Sequence, residues 1–265
     1  MAAAGASLTL GSLPGAQAAS SKVRIGLQLY SLRDQCRTDL PGMLKVVSAA
    51  GYKGVEFAGY HGRSASELRK MLDDNGLVAC GTHTPYATIL EDKLKETVEF
   101  NRTIGNTFLI VPSMNASSKK EWQERGKLFN DVAAKVKSEG MFVGYHAHAH
   151  DFKKFDGETS WEIFGDNSKS EVILQMDTGN CASGGGDPLA MMKKYPGRTR
   201  TIHIKPHGAD AEAVIGEDKL DWKQIFAFCE SAGGTDWYVI EHETSKDPVS
   251  AVKRSFEALK KFGRA

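Results

Sequence analysis

Residues 172–177 read Val-Ile-Leu-Gln-Met-Asp, an apolar run interrupted by one amide and closed by a carboxylate. A run this short, entered through Asn-Ser-Lys-Ser-Glu at 167–171 and left through Thr-Gly-Asn at 178–180, has the form of a strand buried on both faces. A longer amphipathic stretch follows at 187–195, where Pro188 suits a first helical turn. Another apolar run then opens at 201. The same alternation continues outward in both directions. Strands are predicted at 23–29, 54–58, 78–83, 107–111, 141–146, 172–177, 201–205 and 237–241. Helices are predicted near 39–50, 64–75, 91–104, 118–139, 159–168, 187–195, 221–231 and 247–262. Ser64 and Asp221 suit N-caps. Gly51, Gly76, Gly105 and Gly140 stand where helices stop.

Eight strand–helix units predict an α/β fold, a (β/α)8 TIM barrel in a single domain over residues 21–265. An open doubly wound sheet is the alternative. It would carry a glycine fingerprint after the first strand, and here Tyr30-Ser31-Leu32-Arg33 follows instead.

Lys and Arg total 34 against 33 Asp and Glu, a net charge of +1. That balance argues against nucleic acid or an anionic membrane as the main partner. No stretch reaches the roughly 18 apolar residues of a membrane span. Cys36, Cys80, Cys181 and Cys229 form no CxxC pair, so they read as small buried residues. Residues 1–20 are uncharged and rich in Ala and Gly, and Ala16-Gln17-Ala18 has the small-x-small form of a cleavage site. They read as the tail of an export signal, which implies a periplasmic or exported protein. A disordered arm on a cytoplasmic protein is the alternative. Assembly into a homo-oligomer is left open.

Chemistry in such a barrel sits at the C-terminal ends of the strands. There the sequence places Tyr30, Glu56, His83, Pro112, His146 with His148, Asp177, His203 with Lys205, and Glu241. His146, Asp177, His203 and Glu241 belong to four consecutive strands. Two imidazoles and two carboxylates suit Mn²⁺, Zn²⁺, Co²⁺ or Fe²⁺, with Mg²⁺ also in range, better than Ca²⁺. Alternation sends residues 146 and 148 to one face if the strand runs that far. We take His146 as ligand and His148 as base or substrate contact. Asp177 has a second reading as the cap of the following turn. Glu56 and His83 read either as substrate contacts or as buried partners of a neighbouring charge. Lys205 reads as a donor to a substrate oxygen. His150 and His207 read as loop histidines, Gly184-Gly185-Gly186 as a flexible loop, and Trp122, Trp161 and Trp222 as outer-layer core. The long polar loop 206–220 is predicted to cover substrate.

The stretches GLQLYSLRD (26–34), GVEFAGY (54–60), GYHAHAHDF (144–152), QMDTGN (175–180), RTIHIKP (200–206) and YVIEHE (238–243) together resemble the sugar phosphate isomerase/epimerase family of xylose isomerase-like barrels. The resemblance spans 23–262. It implies a divalent metal on His146, Asp177, His203 and Glu241. Many members have Glu at position 146, and many have Lys-Asp where this chain has Lys205-Pro206.

The expected chemistry is proton abstraction next to a carbonyl of a small carbohydrate. Glu241, His148 and Glu56 are candidate bases, Lys205 is the donor, and Tyr30, His83, Pro112 and His148 are substrate contacts. Isomerisation or epimerisation leads. Loss of a β-substituent, as in a lyase or dehydratase acting on a keto-sugar or 3-keto-glycoside, shares the first step. An abasic-site endonuclease or a metal-free sugar-binding barrel are further alternatives.

Overall fold

Each barrel strand is buried on both faces, as parallel strands covered by helices must be. The computed structural model describes residues 23–155 and 157–265, so the reading of residues 1–20 lies outside the described residues. The strands are β1 (Arg24–Gln28), β2 (Gly54–Ala58), β3 (Val78–His83), β4 (Phe108–Val111), β5 (Phe142–His146), β6 (Ile173–Gln175), β7 (Thr201–Ile204) and β8 (Trp237–Ile240). All neighbouring pairs are parallel, and β8 returns to pair with β1. The ring closes between β6 and β7. There His203 N donates to Met176 O at 2.8 Å, and Asp177 bridges to His203. The fold is the (β/α)8 TIM barrel.

The helices are α1 (Arg33–Ala50), α2 (Ala65–Asp74), α3 (Glu91–Ile104), α4 (Lys119–Lys137), α5 (Ser160–Asn167), α6 (Thr178–Ser183), α7 (Pro188–Lys194), α8 (Trp222–Ser231) and α9 (Pro248–Lys261). Ser64 and Asp221 cap α2 and α8 as expected. Two differences have local causes. α1 starts before residue 39 because Asp39 breaks an earlier turn with non-helical angles and then caps a second start, accepting from Gly42 N at 2.9 Å ahead of the helix resumed through Pro41. The short α6 has too few apolar residues for a periodicity to show. Among the described residues, no helix is long and apolar enough to cross a membrane. All four cysteines are buried and unpaired.

Alternate strand positions face the barrel axis, and their character changes along each strand. The lower layers are filled by Cys80, Phe108, Ile110, Ile173, Trp237 and Val239. Gly54 makes room for Trp237, whose ring a Cβ there would meet at 2.9 Å. Two residues further on, the same faces present Pro112, Gln175 and Glu241. Apolar packing thus fills the floor, and the inward imidazoles and carboxylates stand toward the C-terminal mouth. One irregularity matters for the site. The β2–β3 register slips, so that Val55 pairs with Ala79 but Glu56 with Gly81. This bulge lets Cys80 and His83, three residues apart, both turn inward.

Candidate metal centre

β5 ends at His146, β7 carries His203, and Asp177 and Glu241 stand just past β6 and β8. All four side chains are buried, and one ligand-type atom from each lies within 4.8 Å of the others. His203 Nδ1 is 2.9 Å from Glu241 Oε2 and 3.8 Å from Asp177 Oδ2, and His146 Nε2 is 4.0 Å from Asp177 Oδ2. Donors around one ion at ordinary bond lengths stand about 3 to 4.4 Å apart, so the spacing fits a divalent cation. Asp177 carries the sharper sign. Its Oδ1 caps α6, accepting from Asn180 N at 2.7 Å, as the turn-cap reading anticipated. Its Oδ2 is buried with no hydrogen-bond partner. A buried acceptor left unpaired is costly unless something cationic joins it.

The other nitrogen of each imidazole is already held. His146 Nδ1 lies 2.8 Å from Gln175 Oε1, and His203 Nε2 lies 2.5 Å from Glu56 Oε2. Such outer contacts orient metal-binding imidazoles. Gln175 joins the two halves of this layer, donating through Nε2 to Glu56 Oε1 at 2.9 Å and to Thr201 Oγ1 at 3.2 Å. Gln28 Nε2 donates to Glu56 Oε2 at 2.8 Å. Glu56 is therefore completely buried, and it sits beneath the cavity rather than in its wall. Gly81 makes this possible, since a Cβ there would come within 2.3 Å of Glu56 Oε1.

The charges follow from these contacts. Burial pushes the Glu56 carboxyl up, but His83 and His203 outweigh it and hold the group well below its usual range. Burial opposes a charge on His203, yet Glu56 and Glu241 lift that imidazole to about 10. His203 is thus held cationic between two carboxylates. Glu241, opposed by burial, is held ionised by His203 and Lys205. Burial, reinforced by Glu241 and opposed by Lys205, lifts Asp177 to about 7. Burial and surrounding cations keep His146 neutral, and they lower His148 to about 4.

Above the cluster lies a cavity of about 390 Å³ whose wall includes Tyr30, His83, Pro112, His148 and Asn180. His148 packs edge-on to His146 with ring centroids 4.8 Å apart. His148 Nδ1 is buried and unpaired. The chain leaves β5 before this residue, so His148 reaches the mouth from the following loop. Lys205 Nζ stands 3.8 Å from Asp177 Oδ2 and 3.7 Å from Glu241 Oε2, pairs with Glu243, and lies 3.3 Å from Asn180 Oδ1. Its ammonium stays above the usual lysine range: burial opposes the charge, and Asp177, Glu241 and Glu243 outweigh it.

Two loop expectations are corrected. Residues 206–220 do not line this cavity. They fold onto the outer wall, where Val214 and Ile215 are buried, Ala213 O contacts His242 Nε2 at 3.0 Å, and Glu217 pairs with Arg254. Of Gly184-Gly185-Gly186 the outer two are packed, since a Cβ on Gly184 would meet Ala149 O at 2.3 Å and one on Gly186 would meet Cys181 Sγ at 2.8 Å, while Gly185 is exposed with open space around it. Sequence reasoning gave no role to Gln175, Gln28, Asn180 or Glu243. Gln175 and Gln28 had a signal, being amides at inward positions of otherwise apolar strands.

A parallel barrel with clustered imidazoles and carboxylates at its C-terminal mouth is consistent with a divalent metal site. The model of the xylose isomerase-like TIM barrel family matches residues 44–262, and the chain belongs to that family. The rhizopine catabolism protein MocC of Rhizobium meliloti is 23% identical over 86% of this chain and 83% of its own length. An inosose dehydratase of Clostridium beijerinckii is 22% identical over 80% and 83%. A solved sugar phosphate isomerase/epimerase from Parabacteroides distasonis superposes with a TM-score of 0.77 at 26% identity, over 90% of this chain and 98% of its own.

Proposed function

We propose that the protein is a divalent-metal-dependent isomerase or epimerase of a small carbohydrate, removing a proton next to a carbonyl. The observation that carries this is the buried Asp177 Oδ2, which accepts no hydrogen bond, set among two oriented imidazoles, Glu241 and Lys205 beneath an open cavity. His146, Asp177, His203 and Glu241 would hold the cation. When bound, the cation would supply Lewis-acid stabilisation of negative charge on the carbonyl oxygen.

This chain's own groups do the rest. Glu241, ionised at the cavity wall, and His148, a neutral imidazole lining the cavity, are the candidate bases for a carbon-bound proton, a role worth about 10²–10⁴-fold. Lys205, held cationic, donates to an oxygen of the enediolate. Tyr30, His83 and Pro112 shape the wall that positions the substrate. Glu56 orients His203 from below the cavity.

A second reading, dehydration or β-elimination, is favoured by the relatives named inosose dehydratases. Lys205 beside Glu243 offers a proton for a departing group. The near-neutral charge disfavours a DNA substrate. Incubation with keto-sugars in D₂O plus Mn²⁺ tests the proposal by NMR. Exchange of one carbon-bound proton without loss of a group supports isomerase or epimerase action. Exchange with release of water or an alcohol supports the second reading. No exchange with any keto-sugar in a protein shown to hold metal refutes both.

A further inference from the structure

The mouth does not end at the cavity above the metal cluster. A second cavity of about 510 Å³ is walled by Tyr60, Pro85, Lys93, Glu96 and Phe100, between the loops after β2 and β3 and the outer face of α3. The two cavities share Gly59 and His83 as lining residues, so they adjoin. Gly59 has no side chain to close the junction. A single sugar ring over the cluster would leave this second space unfilled.

The wall chemistry indicates what the extension takes. Tyr60 and Phe100 stack with ring centroids 4.1 Å apart and together present an aromatic wall. Asn101 Nδ2 donates to Tyr60 Oη at 3.2 Å and fixes that ring. The threonines of this wall are already bonded within the protein: Thr88 Oγ1 donates to Pro85 O, and Thr97 Oγ1 donates to Thr88 O, both at 2.8 Å. Lys93 and Glu96 remain. Among the described residues, neither makes an ion pair or a side-chain hydrogen bond, and they face the same cavity one helical turn apart. One cation and one anion sum to zero. A phosphate calls for an excess of Arg or Lys donors, which this wall lacks. An aromatic wall flanked by one free donor and one free acceptor suits the C–H face and hydroxyls of an uncharged sugar ring.

We propose that the cavity of Tyr60, Lys93, Glu96 and Phe100 is a second subsite for an uncharged glycosyl unit, so that the protein takes a glycoside or disaccharide in preference to a phosphorylated monosaccharide. The assignment rests on the carbohydrate reading above for the ring held over the cluster. It adds the identity of the substituent that ring carries.

The test uses the full chain loaded with Mn²⁺ and the probes glucose, glucose 6-phosphate, maltose, cellobiose and trehalose, with binding measured by calorimetry and saturation-transfer NMR. At least one disaccharide is expected to bind about tenfold or more tightly than glucose, with saturation on both rings. Glucose 6-phosphate is expected to gain nothing. Phe100→Ala should reduce the disaccharide advantage by about three- to tenfold and leave glucose affinity unchanged. Lys93→Gln, an exposed change that cannot unfold the barrel, should also weaken only the disaccharide. Disaccharides no tighter than glucose, or a gain for glucose 6-phosphate that Lys93→Gln abolishes, overturn the subsite. Disaccharide binding that survives in a protein showing no proton exchange retains the subsite and rejects the chemistry. Exchange on monosaccharides with no disaccharide preference does the reverse.

Discussion

Replacing Glu56 by Gln conserves shape and removes one buried charge. Glu56 accepts from Gln28 Nε2 at 2.8 Å, from Gln175 Nε2 at 2.9 Å and from His203 Nε2 at 2.5 Å, and it faces His83 Nε2 at 3.2 Å. Every neighbour donates. An amide would bring two N–H donors into a cradle built for an acceptor, so whichever way it turns, a donor meets a donor. Breaking one side of a buried ion pair costs about 3–5 kcal/mol. His203 keeps Glu241, so we expect about 3 kcal/mol here, near the lower end of that range. For a chain of this size that corresponds to a fall in Tm of roughly 6–12 °C.

The pH dependence follows from both partners. Glu56 is held below its ordinary 4.5, so its contribution is present above that pH and is lost as pH falls further. His203 is raised from 6.5 to about 10, so its contribution is complete below 6.5 and is lost as pH rises through about 10. The gap between parent and Glu56→Gln should therefore be widest from about pH 5 to 6.5 and close toward pH 10. Thermal unfolding of chelator-treated protein, followed by circular dichroism across this range, measures it. A Tm shift under about 2 °C at pH 6, or a gap that widens above pH 6.5, refutes the reasoning.

Asp177→Ala and His203→Ala should each weaken Mn²⁺ binding by more than about 100-fold, read by calorimetry; parent-like affinity in both removes the metal site. Because burial lifts Asp177 to about 7, metal uptake at pH 6 should release protons and weaken as pH falls, which calorimetry in buffers of different ionisation enthalpy detects; a pH-independent affinity between 6 and 8 contradicts it. Gln175→Leu should cost about 10–100-fold in metal affinity by freeing His146 to turn, although no ligand is touched. Gly184→Ala should destabilise by about 1–3 kcal/mol, because the backbone angles there are ordinary and the methyl would meet Ala149 O at 2.3 Å and Phe152 Cβ at 2.9 Å; an unchanged denaturation midpoint would mean the loop yields.

Strands and helices could be read from the chain because each carries its own local signal. The run at 172–177 and the cap at Ser64 need no distant partner to be recognised. Glu56 differs. Its position in a strand was evident, but whether it meets substrate or lies beneath the site depends on Gln28, Gln175 and His203, residues 28 to 147 positions away. The loop at 206–220 was long and polar on paper, yet it docks through Val214 and Ile215 onto the barrel wall. Its apolar residues, Val214 and Ile215 among scattered alanines, follow no strand or helix period that would announce that contact.

What the sequence determined by itself was the order of eight strand–helix units and the polar residues at their ends, because burial on both faces and helical amphipathicity are written residue by residue. Only the tertiary structure decided that His146, not His148, joins Asp177, His203 and Glu241 within 4.8 Å. It also decided that a slipped register turns His83 inward beside them. Both depend on where a strand ends or slips. Ring closure and pairing with neighbouring strands set that point, and the local run of side chains does not encode it.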